Sequence, residues 1–300
     1  MAATTTMTFD SPPSIWGRYP KILLARKPRH VRDGASVPRI DARLSRLRVD
    51  ADHLEQYRAL SGDAPGDELP PAYPHVLAMP LHVAILSSDA FPVQLLGLVH
   101  VRNRIEQQRP VRRDEAGELR AWLEGHRDAE RGQEFDLHTE LVAADGARIW
   151  RETCTFLARR RGKSKSEGAA TTRAEPPEPQ APAAVRSSSF RADASIGRRY
   201  GWVSGDVNPI HLSDLTARAF GFERAIAHGM WSLARCAAEL GPAAFAKPCV
   251  FDVQFKLPIF LPAWVMMQSW HLDTDTGTGF ALRDAQGDKP HLSGTLIRTR

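Results

Sequence analysis

The segment from Tyr200 to His211, YGWVSGDVNPIH, restricts most strongly how this 300-residue chain can fold. Its Asp206 and His211 lie on either side of an Asn-Pro pair. Pro209 has a fixed φ and biases Asn208 toward extended backbone, so we predict a rigid bend here rather than a helix. Such a bend can direct a carboxylate and an imidazole at one point, as general acid–base catalysis requires.

Two helices are predicted after the bend. Ser213 or Asp214 caps the first helix, which ends at Gly221. The second helix begins at Gly229 and runs to Leu240, and it is apolar over so much of its surface that we expect it to be buried. The first N–H groups of such a helix are unpaired and carry a partial positive charge, so the Gly229 N–H is a candidate oxyanion donor.

The pattern from Tyr200 to Ala217 resembles the signature of the MaoC-like, or type 2, enoyl-CoA hydratases. In that signature an aromatic and a small residue precede Gly-Asp-x-Asn-Pro-aliphatic-His, and Ala or Ser follows after five further residues. The segment IAHGM and the segment from Phe255 to Ala263, FKLPIFLPA, resemble further parts of the family. The resemblance implies a hydro-lyase that interconverts trans-2-enoyl and (R)-3-hydroxyacyl thioesters without a metal or other cofactor.

The resemblance also implies roles for individual residues. Asp206 and His211 would be catalytic, holding the water and moving both protons, while Gly229 would bind the thioester oxygen. We interpret Asn208 as a supporting residue that braces the bend. His228 is expected to bond to backbone and fix the start of the helix rather than to react. Which of the catalytic pair is the acid stays open.

The chain divides into two similar halves on either side of a Pro/Ala/Ser-rich stretch. We predict an N-terminal half at 1–160, a flexible linker at 161–189 and a C-terminal half at 190–300. Asp145-Gly146 and Gly287 punctuate corresponding hairpins, and an interval of about 150 residues indicates a domain duplication rather than a solenoid repeat. The pattern predicts an α+β fold with antiparallel sheet, and the resemblance implies a double hot-dog fold.

The N-terminal half lacks the catalytic motif, because Gly66-Asp67 has no partner histidine after it. One site per chain is therefore expected, in the C-terminal half. In the N-terminal half, residues before Val37 read as an irregular lead-in, Asp50 caps a helix closed by Gly62, and an apolar helix spans 79–86 with Pro80 in its first turn.

The composition and charge of the chain limit the kinds of partner that it is expected to bind. The net charge of +5 is small for this length, so no nucleic-acid surface is predicted. No apolar run approaches the roughly 20 residues that cross a membrane, and the start does not resemble a signal peptide, so a cytoplasmic protein is expected. The expected partner is an acyl thioester, with CoA favoured over acyl-carrier protein, and a homodimer of the pseudo-dimeric chains is left open.

Three alternatives remain. The chain could be a non-catalytic acyl-thioester-binding or scaffold protein on the same fold. It could be a metal enzyme that uses Asp206, His211 and His228 as a facial triad. A hot-dog thioesterase is the weakest alternative, since its motifs differ from this bend.

Overall fold

A computed structural model describes residues 4–115, 117–160, 186–272 and 277–299. Its α-helices are α1 (Tyr19–Leu24), α2 (Ala51–Ser61), α3 (Tyr73–Ser87), α4 (Ile196–Ser204), α5 (Pro209–Leu212), α6 (Asp214–Ala219) and α7 (Gly229–Leu240). Its strands are β1 (Thr5–Phe9), β2 (Ile40–Leu47), β3 (Leu98–Gln107), β4 (Gly117–Leu123), β5 (Arg127–Ala129), β6 (Gly132–Ala143), β7 (Arg148–Arg159), β8 (Arg186–Ala192), β9 (Cys249–Phe255), β10 (Ala263–His271), β11 (Gly277–Asp284) and β12 (Pro290–Arg298).

The described residues form two compact units. The first takes its residues from Met1–Arg48, Ala78–Asn103 and Glu115–Glu175, and the second from Val49–Leu77, Arg104–Asp114 and Pro176–Arg300. Helix α2 therefore belongs with the C-terminal part of the chain, although it precedes the predicted linker by some 100 residues. The predicted halves at 1–160 and 190–300 stay a prediction.

Most of the predicted linker lies outside the described residues. Its last four positions, 186–189, are described, and they belong to strand β8, which pairs antiparallel with β10. The predicted linker therefore extends too far at its C-terminal end. The serines and arginine in this stretch resemble linker composition, but backbone hydrogen bonding to β10 decides their conformation.

In the first unit the strands follow the order β1, β2, β4, β6, β7 and β3. Strands β2, β4, β6 and β7 pair antiparallel in succession, whereas β1 runs parallel to β2. The predicted Asp145-Gly146 turn joins β6 to β7, and Gly146 adopts the left-handed φ of 88° that such a turn favours. The part of α3 from Ala78 onward belongs to this unit, where His82 Nε2 lies 2.6 Å from Thr139 Oγ1 of β6.

In the second unit the strands follow the order β9, β12, β11, β10 and β8, and every neighbouring pair is antiparallel. Helix α7 is the buried helix, and its Trp231 packs edge-on against Phe190 of β8. Apolar helices beside antiparallel strands confirm the predicted α+β class and double hot-dog architecture. Among the described helices, none combines the length and apolar character needed to cross a membrane.

Three local predictions were wrong. The segment Pro209–Leu212 is a one-turn helix rather than only a bend, because Pro209 at the first helical position has a φ suited to a helix. Helix α3 begins at Tyr73, not near Met79, so Pro80 lies inside it. Burial of the apolar residues on both sides of Pro80 outweighs the lost N–H. The lead-in contains strand β1, whose Thr-rich sequence has high β-propensity.

Candidate active site

The backbone around Asp206 turns sharply between two helices. Helix α4 ends at Ser204, and Gly205 adopts a left-handed φ of 78° while its N–H bonds the Gly201 carbonyl at 2.9 Å. Asn208 has the extended ψ of 128° expected before proline, and its side chain caps α5 by accepting from the Ile210 N–H at 3.4 Å. Asp206 and the following helix are thus held by local geometry, as the Asn-Pro pair predicts.

The structure brings the carboxylate and the imidazoles together. A carboxylate oxygen of Asp206 and one ring nitrogen from each of His211 and His228 lie within 4.8 Å of one another. The rings of His211 and His228 stack with 3.7 Å between centroids. The Asp206 side chain is 38% exposed, whereas His211 and His228 are buried, so the carboxylate is the solvent-facing member of the cluster.

Hydrogen bonds assign the tautomers of both rings. Nδ1 of His211 lies 2.8 Å from the Ile226 carbonyl, which can only accept, so Nδ1 carries the proton and Nε2 is left as an acceptor. Nε2 of His228 donates to the Asp206 carbonyl at 2.8 Å and lies 3.8 Å from the Asp206 carboxylate. His228 also occupies the N-cap position of α7, so it fixes backbone in the way that the sequence predicts.

The electrostatic environment keeps both reacting groups unprotonated at neutral pH. Burial, together with the nearby His228, lowers the pKa of His211 to about 3. Burial also lowers the pKa of His228, although Asp206 opposes this shift. Desolvation of the covered part of Asp206 raises its pKa, but attraction to His228 and His211 when these carry a proton, together with the Asn208 N–H, outweighs it, so the pKa lies below its usual value. The site therefore holds an ionised carboxylate beside neutral imidazoles.

Three glycines allow the helices to approach the site. A Cβ at Gly197 would lie 2.1 Å from the His211 carbonyl, and one at Gly201 would lie 2.9 Å from the Asp206 carbonyl. A Cβ at Gly229 would meet the Phe255 ring at 3.1 Å. Gly229 was predicted from the sequence, whereas Gly197 and Gly201 were not. Their spacing of four residues in IGRRYG, on one face of a helix, was the available signal.

Asp206, His211 and His228 also form the facial triad of the metal-enzyme alternative. Their ligand atoms are close enough for that, and the bond from His211 Nδ1 to a backbone carbonyl would leave its Nε2 available to a cation. His228 would have to break its bond to the Asp206 carbonyl to present Nε2 to a cation. The donor set therefore suits proton transfer better than coordination of a cation.

A hot-dog fold that presents an Asp–His pair beside the N-terminus of a buried helix defines a class of hydro-lyases acting on acyl thioesters, and this chain belongs to the MaoC-like dehydratase family. The pattern of the MaoC like domain matches residues 169–292. The chain is 32% identical over 266 residues to 3-hydroxyacyl-thioester dehydratase X of Mycobacterium tuberculosis, covering 87% of this chain and 92% of that protein.

Solved structures agree with this assignment. The crystal structure of HtdX from M. tuberculosis superposes with a TM-score of 0.71 at 29% identity, over 86% of this chain and all of the other (100%). A MaoC-like dehydratase from Phytophthora capsici superposes with a TM-score of 0.66 at 17% identity, over 88% of this chain and 96% of that one, and this similarity concerns the fold alone.

Proposed function

We propose that Asp206 and His211 catalyse the reversible hydration of trans-2-enoyl thioesters to (R)-3-hydroxyacyl thioesters. The chain is a hydro-lyase of the MaoC-like family, and the relative that shares 32% of its sequence is a 3-hydroxyacyl-thioester dehydratase. One observation carries the assignment of residues: the Asp206 carboxylate and the His211 imidazole converge to within 4.8 Å beside the start of α7.

The geometry supports the following course of hydration. In the proposed reaction a water molecule donates to the Asp206 carboxylate and to Nε2 of His211, both of which are unprotonated acceptors at neutral pH. The pair takes one proton as the water oxygen bonds to the β-carbon, and a proton is returned to the α-carbon, so no net proton is gained or lost. Dehydration follows the same steps in reverse.

Charge moves onto the thioester oxygen during this reaction. Gly229 is the first residue of α7, so its N–H has no acceptor within the helix and belongs to the positive end of the helix dipole. This N–H binds the developing enolate oxygen. Losing one such donor typically costs on the order of 3 kcal/mol.

The proposal also covers the carrier of the acyl group and the cellular location of the protein. We expect CoA thioesters to be used more readily than carrier-protein thioesters. The three buried cysteines Cys154, Cys236 and Cys249 are not joined by disulfides, which is consistent with the reducing conditions of the cytoplasm. A homodimer of these chains stays a prediction.

The direct test compares two aspartates that each follow a glycine. Asp206→Asn keeps the shape of the side chain but removes the charge, and we expect it to lower kcat by about 10³-fold on short and medium trans-2-enoyl-CoA substrates. Asp67→Asn is the matched control, and its kcat should stay within twofold of the unsubstituted enzyme.

Chiral analysis of the product checks the stereochemistry, and the same acyl chain on a carrier protein ranks the two carriers by kcat/KM. Equal turnover by the Asp206→Asn and unsubstituted enzymes would remove the catalytic assignment. Binding of the substrate with no turnover by the unsubstituted chain would favour the thioester-binding alternative.

A further inference from the structure

Helix α2 of the second unit reaches the end of the helix that precedes Asp206. Asp50 caps α2 by accepting from the His53 N–H at 3.0 Å, which places His53 in the first turn. Nε2 of His53 lies 2.8 Å from the Val203 carbonyl, and Nδ1 lies 2.7 Å from the Tyr73 hydroxyl. His53 thus connects α2 to the last turn of α4.

The two partners of His53 show which atom donates and which accepts in each hydrogen bond. The Val203 carbonyl can only accept, so His53 Nε2 carries the proton and donates it. Nδ1 is then the acceptor, and the Tyr73 hydroxyl donates to it. Tyr73 therefore selects the tautomer of His53 that can hold the Val203 carbonyl.

The position of the Val203 carbonyl affects the orientation of Asp206. Carbonyls in the last turn of a helix lack partners within the helix and need a capping group. Val203 is three positions before Asp206, with Gly205 between them in a left-handed conformation. A group that fixes the Val203 carbonyl limits how the chain leaves α4 and so where the Asp206 carboxylate points.

Helix α2 is itself anchored to the other helix of the site. The Trp231 Nε1–H of α7 donates to the Leu60 carbonyl at 2.9 Å, and Arg235 Nη1 donates to the Ser61 carbonyl at 3.0 Å. Both carbonyls belong to the C-terminal end of α2. One helix therefore bonds α7, which begins at Gly229, and α4, which precedes Asp206.

We propose that His53 is a positioning residue for Asp206, acting through the Val203 carbonyl, with Tyr73 holding its tautomer. This inference rests on the proposed function. His53 is not a reacting group, because both of its ring nitrogens are engaged by Tyr73 and Val203. Helix α2 thus has a role in the reaction, although His53 precedes Val203 by 150 residues.

Three variants test the activity. His53→Ala removes both hydrogen bonds, and we expect kcat to fall at least tenfold with KM unchanged within twofold, since small misplacements of catalytic groups cost up to roughly a hundredfold. His53→Gln can still donate to the Val203 carbonyl and accept from Tyr73, so it should recover most of the loss. His291→Ala is the control, because it removes a comparable bond to the Leu257 carbonyl elsewhere in the unit.

Amide hydrogen exchange tests the positioning without reference to turnover. In His53→Ala the amides of Gly205 and Asn208, bonded to Gly201 and to the Asp206 carboxylate, should exchange at least tenfold faster. The Ala217 amide of α6 should not change.

The inference is overturned if those two amides keep their rates, if kcat stays within twofold, or if His291→Ala lowers kcat as much. If Asp206→Asn keeps full turnover, the proposed function fails, but the exchange rates still decide whether His53 positions this segment.

Discussion

Helices α3 and α7 are both long and apolar, but α7 begins beside Asp206 and His211, whereas the Gly-Asp pair that precedes α3 is followed by no Asn-Pro-x-His. At the start of α7, His228 bonds the Asp206 carbonyl and stacks on His211. In α3, His82 lies against the hydroxyl of Thr139. The buried helix is therefore common architecture, and the chemistry depends on which segment approaches its N-terminus.

The two Gly-Asp pairs repeat this contrast. The Asp67 carboxylate is 68% exposed and lies 3.7 Å from an arginine, Arg113, while its carbonyl accepts from the Arg113 N–H. Asp206 instead accepts from the Asn208 N–H and faces two neutral imidazoles. An aspartate after glycine becomes a candidate catalyst only where Asn-Pro and a histidine follow it.

The largest expected effect comes from exchanging the two kinds of histidine for glutamine. His211→Gln replaces the basic Nε2 beside Asp206 with an amide that cannot take up a proton, and we expect kcat to fall by about 10³-fold. His82→Gln removes a ring that contacts Thr139, and kcat should stay within threefold even if thermal stability falls. Steady-state kinetics on one enoyl-CoA measures both. Similar kcat values for the two variants would contradict the contrast between the helices.

The second prediction concerns the pH dependence of stability. Burial lowers the pKa of His211 to about 3 from an ordinary value of 6.5, so between these values the folded chain binds fewer protons than the unfolded chain. The free energy of unfolding that His211 contributes by staying neutral is therefore lost as pH falls below about 6.5. From pH 7 to pH 5 this loss should be about 2 kcal/mol. His211→Gln should lack that part of the loss. Urea denaturation at both pH values measures it.

In that experiment His228 titrates in both proteins, and most of its contribution cancels because burial is the largest cause of its lowered pKa. The pKa of Asp206 lies below its usual 3.8, so protonation of Asp206 lies outside the window. Equal losses of unfolding free energy in the two proteins would mean that His211 is not desolvated in the folded chain.

The third prediction tests the start of α7. Gly229→Ala places a Cβ 3.1 Å from the Phe255 ring, which must move by a few tenths of an ångström or displace the helix start. We expect kcat to fall about tenfold, since the Gly229 N–H moves from its position at the oxyanion. Adding Phe255→Leu should restore part of the rate. No recovery in the double variant would show that steric displacement is not the cause.

The candidate site was largely predictable because its determinants are local. Asp206, Asn208, Pro209 and His211 lie within six positions, and proline geometry and capping rules act over that range. Gly229 was found for the same reason, as the first residue of an apolar helix. The error at Pro209–Leu212 was also local, because a proline that restricts the preceding residue equally suits the first position of a helix.

The contribution of α2 could not be predicted in this way. The bond from His53 to Val203 joins residues 150 positions apart, and it depends on how α2 packs in the second unit. The start of α3 at Tyr73 likewise results from burial that outweighs Pro80. Local propensity carries no information about either, because each depends on tertiary contacts that form only when the chain is folded.

The smallest expected effect comes from replacing two threonines, both of which should affect stability but only one of which should affect kcat. The Thr216 hydroxyl donates to the Pro209 carbonyl at 2.7 Å and so braces the turn that carries His211. The Thr155 hydroxyl donates to Asp136 at 2.7 Å in the first unit. Thr216→Val and Thr155→Val should each lower the free energy of unfolding by about 1 kcal/mol. Only Thr216→Val should also lower kcat, by about threefold, because only its lost bond loosens the backbone that orients His211.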